Sequence, residues 1–129
     1  MTEHVGDLFK KHSISMKYAF EGMVWAFKSQ ANYRIHFFLS VAALAGCYLL
    51  NVSYYEFLII LMLIFIGIMV EAVNTAIELA TDAIDKSWRL DIKVAKDVSA
   101  AAMLIFSFGA LVIAGIIFVP KVLALVQAS

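Results

Sequence analysis

The sequence is short of almost everything a soluble enzyme advertises. Of its 129 residues only 16% are charged, one is proline, one is cysteine and six are glycine. The single cysteine, Cys47, excludes a disulfide within the chain, and its place in an apolar run suits an inert buried thiol better than a nucleophile. No second His or Cys stands at metal-ligand spacing, so a zinc site is not expected. There is no Gly-x-x-x-x-Gly-Lys-Ser/Thr stretch and no Gly-x-Gly-x-x-Gly after a strand, which removes the familiar nucleotide cradles. Ten basic residues balance ten acidic ones, leaving no bulk electrostatic case for nucleic acid. The first long apolar run begins only after Arg34, so no cleaved secretory signal is expected and the chain is expected to be used whole.

What is abundant is apolar surface. Residues of the AVILMFWYC set make up 64% of the chain, more than a soluble domain of this length can hide, so the class is an all-α integral membrane protein. Charge-free apolar runs from Ile35 to Leu50, Phe57 to Val70 and Val98 to Val119 predict three transmembrane helices, over about 33–50, 56–84 and 94–119. The first two are joined by the short polar turn Asn51 to Glu56, whose tyrosines suit a water–lipid boundary, and so form a hairpin. Every basic residue but Lys121 lies before the first span or between the second and third, which puts those segments and the N-terminus in the cytoplasm and the C-terminus outside. Pro120 is expected to end the last helix. No repeat or low-complexity tract breaks the chain, and residues 1–129 read as one compact membrane domain.

Ahead of the first span, Phe9, Met16, Phe20, Met23 and Phe27 recur at helical spacing, with Lys10, Lys17, Glu21 and Lys28 on a separate stripe. The pattern predicts an amphipathic helix over about 5–29 lying on the membrane, either a plain anchor or a lid over chemistry. Trp25, Trp88 and His36 suit interfacial positions.

The second span holds the informative residues. Glu71, Asn74, Glu78, Asp82 and Asp85 follow its apolar run and share one sector of a helix. Phe57 to Val70 covers only about 21 Å, and a hydrocarbon core of about 30 Å is not crossed until Ala76, so Glu71 and Asn74 fall at membrane depth. A bare carboxylate there costs about 2–3 kcal/mol even on lenient scales, so something positive should face it. The candidates are Lys96, at the start of the third span, and a divalent cation; oxygen-only ligands of this kind suit magnesium completed by phosphate oxygens and water. Small residues after Lys96, from Ser99 to Ala102, should let the last two spans pack closely and bring Lys96 near Glu78. A solvated helix end accounts well for Asp82 and Asp85 but poorly for Glu71. From the residues alone, a cation pathway or a scaffold subunit whose carboxylates pair with lysines stays open. A pathway should carry acidic groups across the bilayer, and none lies between Glu56 and Glu71.

The run Glu71-Ala-Val-Asn74-Thr-Ala-Ile-Glu78, with Asp82 and then Ala95-Lys96-Asp97, resembles the signature of the prokaryotic diacylglycerol kinase family. The likeness extends from Gly22 through Asn32-Tyr-Arg34-Ile-His36 to the end of the third span. Asn-x-Arg-Ile-His and Val-Pro-Lys resemble the undecaprenol kinase branch more than the enterobacterial diacylglycerol kinase branch. The resemblance implies a small lipid kinase of the bacterial inner membrane, working as a homotrimer with sites shared between subunits. Its substrates would be MgATP and a membrane lipid alcohol, undecaprenol or alternatively diacylglycerol. By position it implies Glu71 as general base, Asn74 as its partner in lipid binding, and Glu78 as a magnesium ligand. Lys11, Tyr18, Gln30, Lys96 and Asp97 would border the nucleotide. Lys11 stands where the family has arginine, giving up bidentate phosphate recognition. Gln30 stands where the family usually has a second metal-binding glutamate, so weaker metal binding, or help from a carboxylate such as Glu21, is the expected consequence.

Overall fold

The computed structural model describes residues 2–128, with side chains from residue 14 onward. Four helices follow one another: α1 (Thr2–Ser29), α2 (Ala31–Leu49), α3 (Tyr54–Ile84) and α4 (Leu90–Ala128). The joints between them are short and each is fixed by local chemistry. At the first, Gln30 alone turns extended (φ −104°, ψ 121°). Arg34 folds back so that its Nη1 donates to the carbonyls of Phe27 (3.3 Å) and Lys28 (3.0 Å), which α1 would otherwise leave unpaired. At the second, Asn51 adopts a left-handed φ of 48°, a conformation asparagine tolerates better than most residues. Ser53 and Glu56 then close a capping box at the start of α3: the Glu56 N–H donates to Ser53 Oγ (3.4 Å), and the Ser53 N–H to Glu56 Oε2 (2.6 Å). At the third, the Ser87 N–H donates to Asp85 Oδ1 (2.8 Å), which holds the Asp85 carboxyl below its ordinary pKa, and Arg89 bridges to Asp91.

α3 is the central element. It packs chiefly along α4 and also against α2, while α1 touches α3 and, through Phe27 against Phe37, α2. The buried core is small: Cys47, Ile60 and Ile117 meet where α2, α3 and α4 come together, flanked by Phe57, Leu63 and Phe118. Gly67 permits a close approach farther along, since a Cβ there would stand 2.8 Å from Phe106 Cε1 of α4. Near the α2–α3 turn, Lys121 Nζ reaches Glu56 Oε2 at 3.0 Å and ties the far part of α4 to the start of α3.

α3 and α4 are long and apolar enough to cross a membrane, yet only 17% and 11% of their most apolar windows are buried within the chain. A core helix of a soluble domain would be mostly hidden, so these surfaces are built to face lipid or other helices. α2 is shorter, and its first two turns carry Asn32, Arg34 and His36.

Pro120 does not act as the sequence suggests. α4 does not stop at Pro120 but runs through it to Ala128. Proline removes one N–H and crowds the preceding turn, but the residues after it, Lys121 to Ala128, form helix readily, and the Lys121–Glu56 pair holds that segment in line. Proline is tolerated inside apolar helices when neighbouring groups support the break.

Candidate active site

The acidic face of α3 is partly buried and partly wet, and the change comes within three turns. Glu71 is 3% exposed and Asn74 5% exposed, with Thr75 equally hidden. Glu78 is half-buried, whereas Asp82 is exposed. Helix geometry puts these residues on one face, because positions three and four apart are neighbours and each turn climbs about 5.4 Å.

Asn74 and Glu78 use that spacing directly. Asn74 Nδ2 donates to Glu78 Oε1 at 3.1 Å, fixing both side chains along the helix. The same amide leaves its Oδ1 as the buried side-chain acceptor without a partner among the described residues. A buried acceptor left open is rare in folded chains and points to a group supplied from elsewhere. Glu71, Glu78 and Asn74 Oδ1 are all hard oxygen donors, and that donor set fits a magnesium ion, which takes few protein ligands and keeps phosphate oxygens and water for the rest. No cluster of three or more His, Cys, Asp or Glu is close enough to hold an ion among the described residues.

The basic residue lies elsewhere than expected. Lys96 forms its ion pair with Asp82, one turn beyond Glu78, and no Lys96–Glu78 pair is present among the described residues. The reason is register. Glu56 pairs with Lys121 and Ile60 packs with Ile117 across α3 and α4, and the same antiparallel alignment carried along the helices sets Lys96 opposite Thr81, next to the exposed Asp82. Asp97 is taken up by Lys93 on its own helix. Ser99 Oγ donates to the Lys96 carbonyl (2.9 Å), so the buried serine braces the first turns of α4 rather than facing a ligand.

Of the remaining sequence candidates, Gln30 sits at the α1–α2 joint, half-buried and making no capping hydrogen bond. Tyr18 is 64% exposed on α1. Glu21 is held loosely by Lys17 (3.8 Å). The side chains of Lys11, Phe9 and Lys10 lie outside the described residues. The fold therefore joins Asn74 to Glu78 by a hydrogen bond, buries Glu71 on the same face, pairs Lys96 with Asp82, and leaves Tyr18 exposed on α1. Sequence reasoning missed Arg34, which caps α1, and Thr75 and Thr81 on the same face of α3. The Thr81 Oγ1 donates back to the Ile77 and Glu78 carbonyls, a role visible only as a hydroxyl four residues after an apolar position.

Residues 17–118 match the prokaryotic diacylglycerol kinase family. The chain is similar to a diacylglycerol kinase of Synechocystis, with 31% identity over 113 residues, and to an undecaprenol kinase of Bacillus subtilis, with 32% identity over 107 residues. The aligned segments take in 87% and 83% of this chain. They span 65% of the length of the first relative and 87% of the second. With that match running from α1 almost to the end of α4 and including every residue of the buried acidic face, the chain belongs to the prokaryotic diacylglycerol kinase family, a family of prokaryotic lipid kinases.

Proposed function

We propose that this protein transfers the γ-phosphate of ATP to the hydroxyl of a membrane lipid alcohol, with undecaprenol as the favoured acceptor and diacylglycerol as the alternative. The carrying observation is the sequence of environments along α3: a buried Glu71, then the Asn74–Glu78 pair, then the exposed Asp82–Lys96 pair. A lipid kinase needs its base where the lipid's oxygen lies and its phosphate site just outside, in that order.

In this reading Glu71 takes the proton of the lipid hydroxyl as the oxygen attacks the γ-phosphorus, the bond to the bridging oxygen breaks, and ADP departs. Asn74 fixes Glu78 and offers its free Oδ1 to the site. Magnesium, held by Glu78 with Gln30, would neutralise the phosphate oxygens when bound. Lys96 and Asp97, with Lys11 and Tyr18 from α1, border the nucleotide. Lys96 reaches it by leaving Asp82, an exchange made easy because their side chains are 35% and 48% exposed.

The assembly is a homotrimer in the inner membrane. α2, α3 and α4 cross, α1 lies on the cytoplasmic surface, and the C-terminus is outside. The exposed Met16 (76%) and Phe20 (63%) of α1, and the scant burial of α3 and α4, support a chain completed by lipid and by its own copies. The undecaprenol preference draws on the Asn32 to His36 and Val119 to Lys121 segments; the Synechocystis relative's name keeps diacylglycerol as the alternative.

The test is to incubate purified protein with MgATP and, separately, undecaprenol or diacylglycerol, and to measure phosphorylated lipid. Transfer to undecaprenol at a higher kcat/KM is the expected result; no phosphorylated product from either at any magnesium concentration would overturn the reading.

A further inference from the structure

Glu71, Asn74 and Thr75 are the most deeply buried polar side chains of the described residues, and the kinase reading gives work only to the first two. A buried serine or threonine in a helix commonly returns its proton to a carbonyl three or four residues back. Thr81 does so to Ile77 and Glu78, and Ser99 to Lys96. The Thr75 hydroxyl makes no hydrogen bond among the described residues. Its place on the helix is specific. At 100° per residue Thr75 stands about 40° to one side of Glu71 and Asn74 about 60° to the other, with Glu78 between them. Along the axis Thr75 lies about 6 Å from Glu71 and about 4.5 Å from Glu78 at 1.5 Å per residue. Its polarity is what the face otherwise lacks. Glu71 and Glu78 are acceptors when ionised, Asn74 Oδ1 is an acceptor, and the Asn74 amide is turned to Glu78. Lys96 is held at Asp82, about two turns beyond Thr75. Among the described residues, Thr75 is therefore the side-chain donor on this buried face that no other residue of the chain takes up.

We propose that Thr75 is a further catalytic residue, whose hydroxyl donates a hydrogen bond to an oxygen of the phosphoryl group as that group passes from ATP to the lipid. The assignment rests on the kinase reading, with Glu71 as the base. Distance puts the phosphoryl group at this level of α3. A hydrogen bond of about 3 Å from base to lipid oxygen, followed by a near-attack separation of about 3 Å from that oxygen to phosphorus, sets the phosphorus about 6 Å from the Glu71 carboxylate. That is the rise of four residues. The charge on the group points the same way. The three oxygens of a transferring phosphoryl group are acceptors that carry negative charge, and carboxylates alone would repel them. A buried donor already fixed in place steadies them without reorganising. Thr75 keeps its own proton throughout. The lipid proton goes to Glu71 as the new oxygen–phosphorus bond forms and the bond to the ADP oxygen breaks. Because the contact is made to the group in transit, Thr75 acts on kcat and hardly on KM.

The experiment compares Thr75→Val, which keeps the branched shape and removes the hydroxyl, with Thr75→Ser, which keeps the hydroxyl and removes the methyl group. Both are full chains in lipid nanodiscs, given MgATP and the lipid alcohol that the parent chain phosphorylates. Thr75→Val is expected to lower kcat about tenfold or more, with KM for ATP and for the lipid within about threefold of the parent. Thr75→Ser is expected to stay within about threefold of the parent in kcat, and so is Thr81→Val, whose hydroxyl serves its own helix. A smaller fall in Thr75→Val, an effect confined to KM, or an equal loss in Thr75→Ser or Thr81→Val overturns the proposal. If the valine variant does not assemble by size-exclusion chromatography, Thr75→Ala takes its place with the same expected and overturning results. A parent chain that phosphorylates no lipid alcohol removes the kinase reading and Thr75 with it; a parent that does, beside a Thr75→Val variant that keeps its rate, removes the role of Thr75 alone.

Discussion

Asn74 donates its amide to Glu78 one turn on and leaves its own carbonyl oxygen buried without a partner, so a single side chain both positions a carboxylate and presents an open acceptor. Asn74→Ala removes both. The magnesium concentration for half-maximal rate is expected to rise and kcat to fall, with the helix content of the chain unchanged by circular dichroism. An unaltered magnesium dependence would show that Glu78 needs no support from Asn74.

Glu71 is hidden where no other carboxylate of α3 is. Glu71→Gln keeps the shape and removes the proton acceptor, and lipid phosphorylation is expected to drop about a hundredfold or more while the oligomer persists by size-exclusion chromatography. A variant keeping a tenth of the rate would take Glu71 out of that role.

Gln30 lies at the single extended residue between α1 and α2. As a metal neighbour it supplies an oxygen without charge, so Gln30→Glu is expected to lower the magnesium concentration needed for half-maximal rate. No change, or a rise, places Gln30 outside the coordination sphere.

The Asp82–Lys96 pair is partly exposed and should contribute only about 0–1 kcal/mol to stability. Asp82→Asn is therefore expected to leave thermal stability in detergent nearly unchanged while altering KM for ATP. A large loss of stability with no change in KM would make the pair structural.

Gly67 faces Phe106 so closely that an added methyl group forces the ring to move. Gly67→Ala is expected to cost about 1–3 kcal/mol by overpacking, read as a lower Tm in detergent, and Phe106→Leu in the same chain is expected to restore part of it. An unchanged Tm would mean that the ring swings away freely.

The apolar runs were enough to locate the long helices, because burial in lipid demands uninterrupted apolar length and leaves a signal in composition alone. The α2–α3 turn was legible for a similar reason, since Asn51 to Ser53 carry residues that satisfy unpaired helix ends, whereas α4 begins at Leu90, ahead of the expected 94. Counting residues along one helix set Glu71 apart from Asp82 and Asp85 as poorly explained by a solvated helix end, but its burial within the chain comes from packing.

Contacts between helices were beyond that counting. Periodicity says which face a residue occupies but not the register of the helix opposite it, so Lys96 was expected beside Glu78 and instead pairs with Asp82. Pro120 reads as a stop by local propensity, and only the Lys121–Glu56 pair at the start of α3 shows what holds the continuing helix in line. An apolar gap lies between α2 and α4 and exists in no stretch of sequence, because its walls come from three segments far apart along the chain. Local patterning determined the helices, their order and the acidic face of α3, since each depends on neighbours within a few residues; the partner of each charge and the shape of the space between helices were decided by packing, which depends on side chains that meet only after the chain has folded.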